Sequence, residues 1–253
     1  MVFFELKSRI KYYYAFSKRE MRDLIAVTLV VGFIFSFCDW SSERSCSQGQ
    51  VDFAIGIYHL IITLIAAAFT IFIHESIHRI CALNVGLKSE FRIWWGGLFT
   101  SIVLVFASRG IIQVILPGSS VNAIIVRQRL GEFRYGTKYW DNGLIALFGP
   151  LGNLAIAFLS KAILIAIPDT YFFQKLLWIN VVMAICTMLP LPQLDGINTF
   201  MAGRILYVIS FFGILGSSIL VYFTPIPIAV VGGILITIIA TLVYYLKFEN
   251  PPT

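Results

Sequence analysis

Two histidines and a glutamate form an H-E-x-x-H motif, in which His74 and His78 flank Glu75. Residues four apart lie on one face of an α-helix, so both imidazoles can bind one metal ion while Glu75 reaches a water on that metal. Zinc in such a site lowers the pKa of the water to about 7, and the glutamate passes the proton to the leaving amine. The motif therefore predicts zinc-dependent peptide hydrolysis with Glu75 as the catalytic base.

A third protein ligand has to come from another segment. His59 lies fifteen residues before His74, about 22 Å along one helix, and is too far away to share the metal. Among the 13 acidic residues, Asp195 in the apolar stretch L-P-L-P-Q-L-D-G is the best placed. The two prolines of this stretch should end the preceding helix, and irregular backbone could then direct the carboxylate inward. Cys186 and Cys81 remain alternative ligands, because thiolates also bind zinc well.

The composition predicts that the elements carrying these residues lie in a lipid bilayer. Of the 253 residues, 58% are hydrophobic and 13% are charged, and the mean hydropathy is +0.86, which is unlike a soluble domain. The net charge is +6. Because the basic residues are scattered at the ends of apolar segments, they suit anionic lipid head groups and do not indicate a nucleic-acid partner.

The hydropathy pattern predicts an all-α polytopic membrane protein with about six transmembrane helices and a re-entrant or β-hairpin segment after the H-E-x-x-H helix. Residues 1–253 form a single domain: a cytoplasmic amphipathic segment (1–23), a catalytic core (53–200) and two C-terminal spans (203–246). The predicted spans are 24–38, 53–78, 143–167, 172–190, 203–223 and 226–246. Residues 93–117 should be re-entrant or make two partial crossings, and 121–126 should form a strand.

Positive charge and the metal site favour the same topology. Basic residues before the first span and between residues 127 and 138 predict that both termini are cytoplasmic in a multi-pass cell-membrane protein. If residues 93–117 make no net crossing, Asp195 reaches the cytoplasmic side, at the level of His74 and His78. If they formed a full span, Asp195 would emerge on the opposite face and the site would not assemble.

Three motifs in this order resemble the site-2 protease family of intramembrane zinc metalloproteases. They are H-E-x-x-H at 74–78, the Gly149-Pro150-Leu151-Gly152-Asn153 block, which is similar to G-P-x-x-N, and the L-D-G that contains Asp195. Residues 82–93 and the Pro117-Gly118 turn look like archaeal members. The chain resembles a minimal member without a PDZ domain.

The resemblance implies one zinc ion per chain, bound by His74, His78 and Asp195, with Glu75 as general base. The implied partner is a transmembrane protein substrate that unwinds within the lipid bilayer, in regulated intramembrane proteolysis. The residues implied to contact the substrate are Thr187, Asn153, Pro190 and Pro192, although Asn153 could instead be a buried amide that bonds between helices. Thr187 stands where the family usually has asparagine, and a hydroxyl is a shorter replacement for an amide near the metal.

Three alternatives stay open from the sequence alone. The H-E-x-x-H residues could form a polar patch between helices or at the membrane interface. The chain could be a zinc-binding membrane transporter or sensor that does not hydrolyse peptides. It could also be a catalytically impaired pseudoprotease, which Thr187 would favour. The sequence does not indicate the oligomeric state.

Overall fold

The computed structural model describes residues 2–40, 52–124, 127–128, 131–132 and 138–249. Most of these residues are helical. In chain order the elements are α1 (Val2–Tyr13), α2 (Lys18–Ser36), α3 (Phe53–Val85), β1 (Leu87–Ile93), α4 (Trp95–Ala107), β2 (Gly118–Ile124), β3 (Arg127–Gln128), β4 (Gly131–Glu132), α5 (Tyr139–Ala166), α6 (Tyr171–Thr187), α7 (Asp195–Ala202), α8 (Arg204–Phe223) and α9 (Ile226–Tyr244), which continues into a π-helical turn (Tyr245–Glu249).

Helix α3 carries the H-E-x-x-H motif and is the longest helix among the described residues, with 33 residues. Its N-cap is Asp52, whose carboxylate accepts hydrogen bonds from the N–H groups of Ala54 and Ile55 at 2.9 and 3.3 Å. It ends where Gly86 adopts a left-handed φ of 92°. The prediction ended this span at His78, but the helix continues for two more turns. The motif therefore lies inside the helix.

Four helices of the described part are long and apolar enough to cross a membrane, namely α3, α5, α8 and α9 with its terminal turn. The predicted number of six is not confirmed. Helix α6 has only 17 residues, and α2 begins with a charged turn at Lys18, six residues before the predicted start of the first span. The chain is thus a mostly helical protein with several apolar helices, as expected of a membrane protein.

Strands β1 and β2 form an antiparallel pair, and α4 lies between them in the sequence. The register pairs Leu87 with Ile124 and Ile93 with Gly118, and the N–H of Trp94 donates to the carbonyl of Pro117 at 3.0 Å. The predicted re-entrant segment, residues 93–117, therefore leaves and returns at the same place. The predicted strand at 121–126 is β2, which starts earlier, at Gly118; residues 125 and 126 lie outside the described part. The prediction allowed a β-hairpin in this segment but did not identify the residues of β1.

Gly118 shows why the turn before β2 needs glycine. Its φ is +130°, a conformation that side chains rarely adopt, and a Cβ at this position would collide with the carbonyl oxygen of Arg92. A glycine here lets the main chain pass close to β1 and start the pairing. The Pro117-Gly118 pair consequently ends the segment after α4 and begins the strand.

Glu20 connects α2, α3 and β1 through a buried ion pair. Its carboxylate pairs with Arg79 of α3 and accepts a hydrogen bond from the N–H of Phe91 in β1 at 3.1 Å. Arg79, which is 2% exposed, also donates to the carbonyls of Tyr14 and Ala15 at 2.9 Å. These contacts fix the β1–β2 pair against the part of α3 that carries the H-E-x-x-H motif.

Helix α6 ends at Thr187, before Pro190, as the prolines predicted. The prediction that Asp195 lies in irregular backbone was wrong. Asp195 is the first residue of the short helix α7. A Cβ on Gly196 would collide with the carbonyls of Met188 and Leu189, so the start of α7 packs directly against the end of α6. This close packing places Asp195 beside α3.

Candidate active site

His74, His78 and Asp195 come together in the interior although Asp195 follows His74 by 121 residues. The Nε2 atoms of the two histidines lie 3.0 Å apart, and Oδ2 of Asp195 lies 3.2 Å from Nε2 of His74 and 3.3 Å from Nε2 of His78. All three side chains are at most 3% exposed. Three potential ligand atoms thus face a common point.

Helix α5 contacts both imidazole rings on the side opposite Asp195, at their Nδ1 atoms. The Nδ1 of His78 donates to the carbonyl of Ile145 at 2.8 Å, which leaves Nε2 as the nitrogen with the lone pair. The Nδ1 of His74 lies 3.0 Å from Nδ2 of Asn153. Between these contacts, a Cβ on Gly149 would collide with His78 and lie 2.7 Å from Cε1 of His74. A residue without a side chain is therefore required where α5 passes the two rings.

Strand β2 holds the two acids of the site through consecutive serines. Ser119 Oγ donates to Oδ1 of Asp195 at 2.9 Å, and Ser120 Oγ donates to Oε2 of Glu75 at 2.8 Å. Glu75 is 5% exposed. Asn198 of α7 donates to Ser119 Oγ at 3.4 Å. Asp195 therefore keeps Oδ1 on one serine and Oδ2 toward both histidines, and Glu75 keeps Oε2 on the other serine.

The donor set fits zinc. Two imidazole nitrogens and one carboxylate oxygen are a ligand combination that catalytic zinc sites use, with another position left for water or substrate. Within the described residues, these three are the His, Cys, Asp and Glu side chains close enough to share an ion. Among the residues that the structure describes, no lysine or arginine forms an ion pair with Asp195 or Glu75. A metal cation between the three ligand atoms would therefore balance the charge of two buried carboxylates.

The other predicted site residues lie around this centre at different depths. Asn153 is fully buried behind His74. Thr187 is also fully buried, and its hydroxyl donates to the carbonyl of Met183 on its own helix at 2.8 Å. Pro190 and Pro192 are exposed in the loop before α7. The substrate contacts predicted for these four residues remain predictions.

The alternative sulfur ligands do not join the three-residue group. Cys186 is buried in the hydrophobic core that includes Ile115. Cys81 is a half-buried free thiol one turn beyond His78, beside Ala82 and Leu87. The group of possible ligands in the described part of the chain contains neither cysteine.

Sequence reasoning missed Ser119, Ser120 and the carbonyl of Ile145. Serine is too common on surfaces for its type alone to indicate a site, and a main-chain carbonyl gives no signal in a sequence. The Pro117-Gly118 turn was the available clue, because it starts a strand whose Ser119 and Ser120 contact Asp195 and Glu75. The pairing of that strand with β1 could not be read from the sequence.

Comparison with known proteins identifies one clear relative. The chain is similar to a protein of Methanocaldococcus jannaschii that is provisionally named a zinc metalloprotease; the two are 32% identical over 189 residues, which cover 72% of this chain and 84% of the relative. No protein-family model matches the chain, and no solved structure matches it. The identity and the coverage show that the chain belongs to the same zinc metalloprotease family as this relative.

Proposed function

We propose that the chain is an intramembrane zinc endopeptidase of the site-2 protease type, which hydrolyses peptide bonds in or near transmembrane segments of other membrane proteins. One observation carries this proposal: His74, Glu75 and His78 lie inside an apolar helix of membrane-spanning length, and Asp195 meets them there. Ionisable side chains at such a position in a bilayer are costly and usually mark a functional site.

In this proposal His74, His78 and Asp195 hold one zinc ion. When bound, zinc supplies a Lewis acid that polarises the scissile carbonyl and makes a water acidic at neutral pH. Glu75 accepts the proton of the attacking water and delivers it to the leaving amine. Ser120 holds Oε2 of Glu75, so Oε1 remains for the proton. Ser119 fixes the Asp195 carboxylate with Oδ2 turned toward both histidines.

Among the described residues, β2 pairs only with β1, and its other edge suits an extended substrate beside Glu75. Because Glu20 accepts from the N–H of Phe91, that N–H points away from β2, and Phe91 and Ser120 form a non-hydrogen-bonded pair. The main-chain N–H and C=O of Ser120 must then point to the opposite edge of β2. An unwound substrate segment can pair with them as an added strand.

A cleft adjoins β2. Its volume is about 530 Å³, and residues of α2, β1, β2, α5 and α7 line it, among them Arg92, Ser119, Ser120 and Asn198. It is large enough for a short peptide segment, and its walls are partly polar, which suits a substrate whose main chain has left the lipid. Through Ser119 and Ser120 the cleft adjoins the two hydroxyls that hold the acids of the site.

We also propose how the chain crosses the membrane. Six crossings, by α2, α3, α5, α6, α8 and α9, would put both termini on the cytoplasmic side and the active site near that side. The pairing of Ile93 with Gly118 supports it, because the β1–α4–β2 segment then makes no net crossing. With that arrangement α3 and α7 present their ligands at the same depth, and residues 1–253 act as one domain.

The test is cleavage in proteoliposomes. Purified wild type and Glu75→Gln are reconstituted with a panel of single-span membrane proteins, and mass spectrometry identifies the fragments and their cleavage positions. Glu75→Gln should keep about one zinc per chain and lose cleavage by more than about 1000-fold, since it cannot accept the proton. Glu90→Gln, a change on β1 away from the cluster, is the matched control and should cleave normally. Cleavage by Glu75→Gln at the wild-type rate would refute the proposal.

A further inference from the structure

Three residues of α5 at four-residue spacing face the two histidines. Ile145 supplies the carbonyl that accepts from Nδ1 of His78, Gly149 supplies the space for both rings, and Asn153 places its amide 3.0 Å from Nδ1 of His74. Residues at this spacing form one stripe on a helix. The two rings have equivalent surroundings on this stripe, because the Nδ1 atom of each ring lies next to a polar group of α5.

Metal binding by His74 determines whether the side-chain amide of Asn153 must donate or accept a hydrogen bond. An imidazole that binds a metal through Nε2 carries its hydrogen on Nδ1, and that N–H needs an acceptor. For His78 the acceptor is the carbonyl of Ile145. For His74 the group on the Nδ1 side is the amide of Asn153, whose Oδ1 is buried and has no hydrogen-bond partner among the described residues.

We infer that Asn153 is a positioning residue for the metal, whose side-chain oxygen accepts a hydrogen bond from Nδ1–H of His74 and so keeps Nε2 as the ligating nitrogen. The oxygen and nitrogen of an amide have nearly the same size and shape. A half-turn of the Asn153 amide therefore exchanges Nδ2 and Oδ1 without moving the helix. The number of unpaired amide atoms stays the same, while His74 gains the acceptor that ligation requires.

This inference rests on the metal assignment of the proposed function but not on proteolysis. It gives α5 a role that complements β2: the helix orients the histidines, and the strand orients the acids. It also separates Asn153 from the predicted substrate contacts, because the side chain is fully buried behind His74. Asn153 acts through His74 and touches no reacting atom.

The first experiment measures zinc affinity by competition with a chelator in detergent-purified protein. Asn153→Leu keeps the size of the side chain but cannot accept, and should weaken zinc binding about 10- to 100-fold, the usual effect of losing such a partner. Asn153→Asp can only accept and should bind zinc at least as tightly as wild type. If Asn153→Asp is as weak as Asn153→Leu, the amide acts as a donor and the inference fails.

Asn180 provides the matched control. It is also fully buried, and its amide donates to Thr70 on α3 at 2.8 Å, but it does not contact a predicted ligand. Asn180→Leu should lower the thermal unfolding midpoint and leave zinc affinity unchanged. An equal loss of zinc affinity in Asn180→Leu and Asn153→Leu would show a general packing effect and overturn the inference.

A second readout does not depend on whether the Asn153 variants fold. The chain has three histidines, so nitrogen-15 labelling of histidine gives few ring signals, and His59→Gln removes one set. In zinc-loaded protein both remaining rings should show a protonated Nδ1 and a metal-bound Nε2. An unprotonated Nδ1 on His74 would overturn the inference. Absence of zinc from wild-type protein would instead refute the metal assignment itself.

Discussion

Helix α3 carries two buried polar clusters, one around His74 and His78 and one around His59. His59 stacks on Tyr171 with ring centroids 4.3 Å apart, and its Nδ1 donates to the carbonyl of Asp39 at 2.8 Å. The Asp39 carboxylate accepts from Tyr171 at 2.8 Å and pairs with Lys175. Both clusters thus combine histidine and aspartate in the interior, about 22 Å apart along the same helix.

The source of the balancing charge distinguishes the two clusters. Around His59 the protein supplies its own cation, because Lys175 pairs with Asp39 and also donates to the carbonyl of Phe35 at 2.8 Å. Around His74 the described residues supply no lysine or arginine for Asp195 or Glu75. A buried polar cluster that contains its own counter-ion is a structural device, whereas one that leaves two acids and two imidazoles facing each other fits a bound metal.

The largest expected difference between the clusters follows from removing one histidine from each. His74→Ala should reduce zinc from about one ion per chain to nearly none, with an affinity loss above about 100-fold, because losing a ligand exceeds the effect of losing its hydrogen-bond partner. His59→Ala should keep the zinc and lower the thermal unfolding midpoint, because Tyr171 loses its stacking partner. Metal analysis and thermal scans of both variants check this, and equal zinc loss would contradict it.

A smaller effect is expected from adding one methyl group on α5. Gly149→Ala would place a Cβ against both imidazoles and should weaken zinc affinity by about 10-fold or more, as displaced ligand rings do. Gly152→Ala, one turn of chain away, would meet only the side chain of Ile77, whose tip can move. Both changes raise helix propensity equally. Chelator competition should therefore separate them, and similar affinities for both variants would argue against close packing of the rings on α5.

The smallest expected effect on zinc binding comes from the charge of the His59 cluster. Lys175→Met leaves Asp39 without its cation and should destabilise the fold by about 1–3 kcal/mol, the cost of losing a hydrogen bond to a buried charge. Zinc content should not change. Adding Asp39→Asn should recover part of the stability, because the unpaired charge is then removed. Thermal unfolding of the single and double variants measures this coupling; additive losses would show that the pair does not stabilise the fold.

Local patterns were enough to predict some parts of the site and not others. The spacing of His74 and His78 predicted a shared helical face, and the structure brings their Nε2 atoms within 3.0 Å. Asp195 required an argument about depth as well, since nothing near residue 195 identifies its partners. The end of α3 was placed too early, because the prediction ended the helix at the polar residues of the motif, and these are buried inside the fold.

The sequence by itself determined the chemistry of this protein: the residue types, their helical spacing and the apolar length of the helix around them. Only the tertiary structure decided how those groups are held. Ser119 and Ser120 reach the acids because β2 pairs with β1, and Asn153 reaches His74 because α5 packs against α3. Spacing along one helix is a local property, whereas the contacts that orient a ligand join segments that are distant in sequence and depend on the packing of the whole chain.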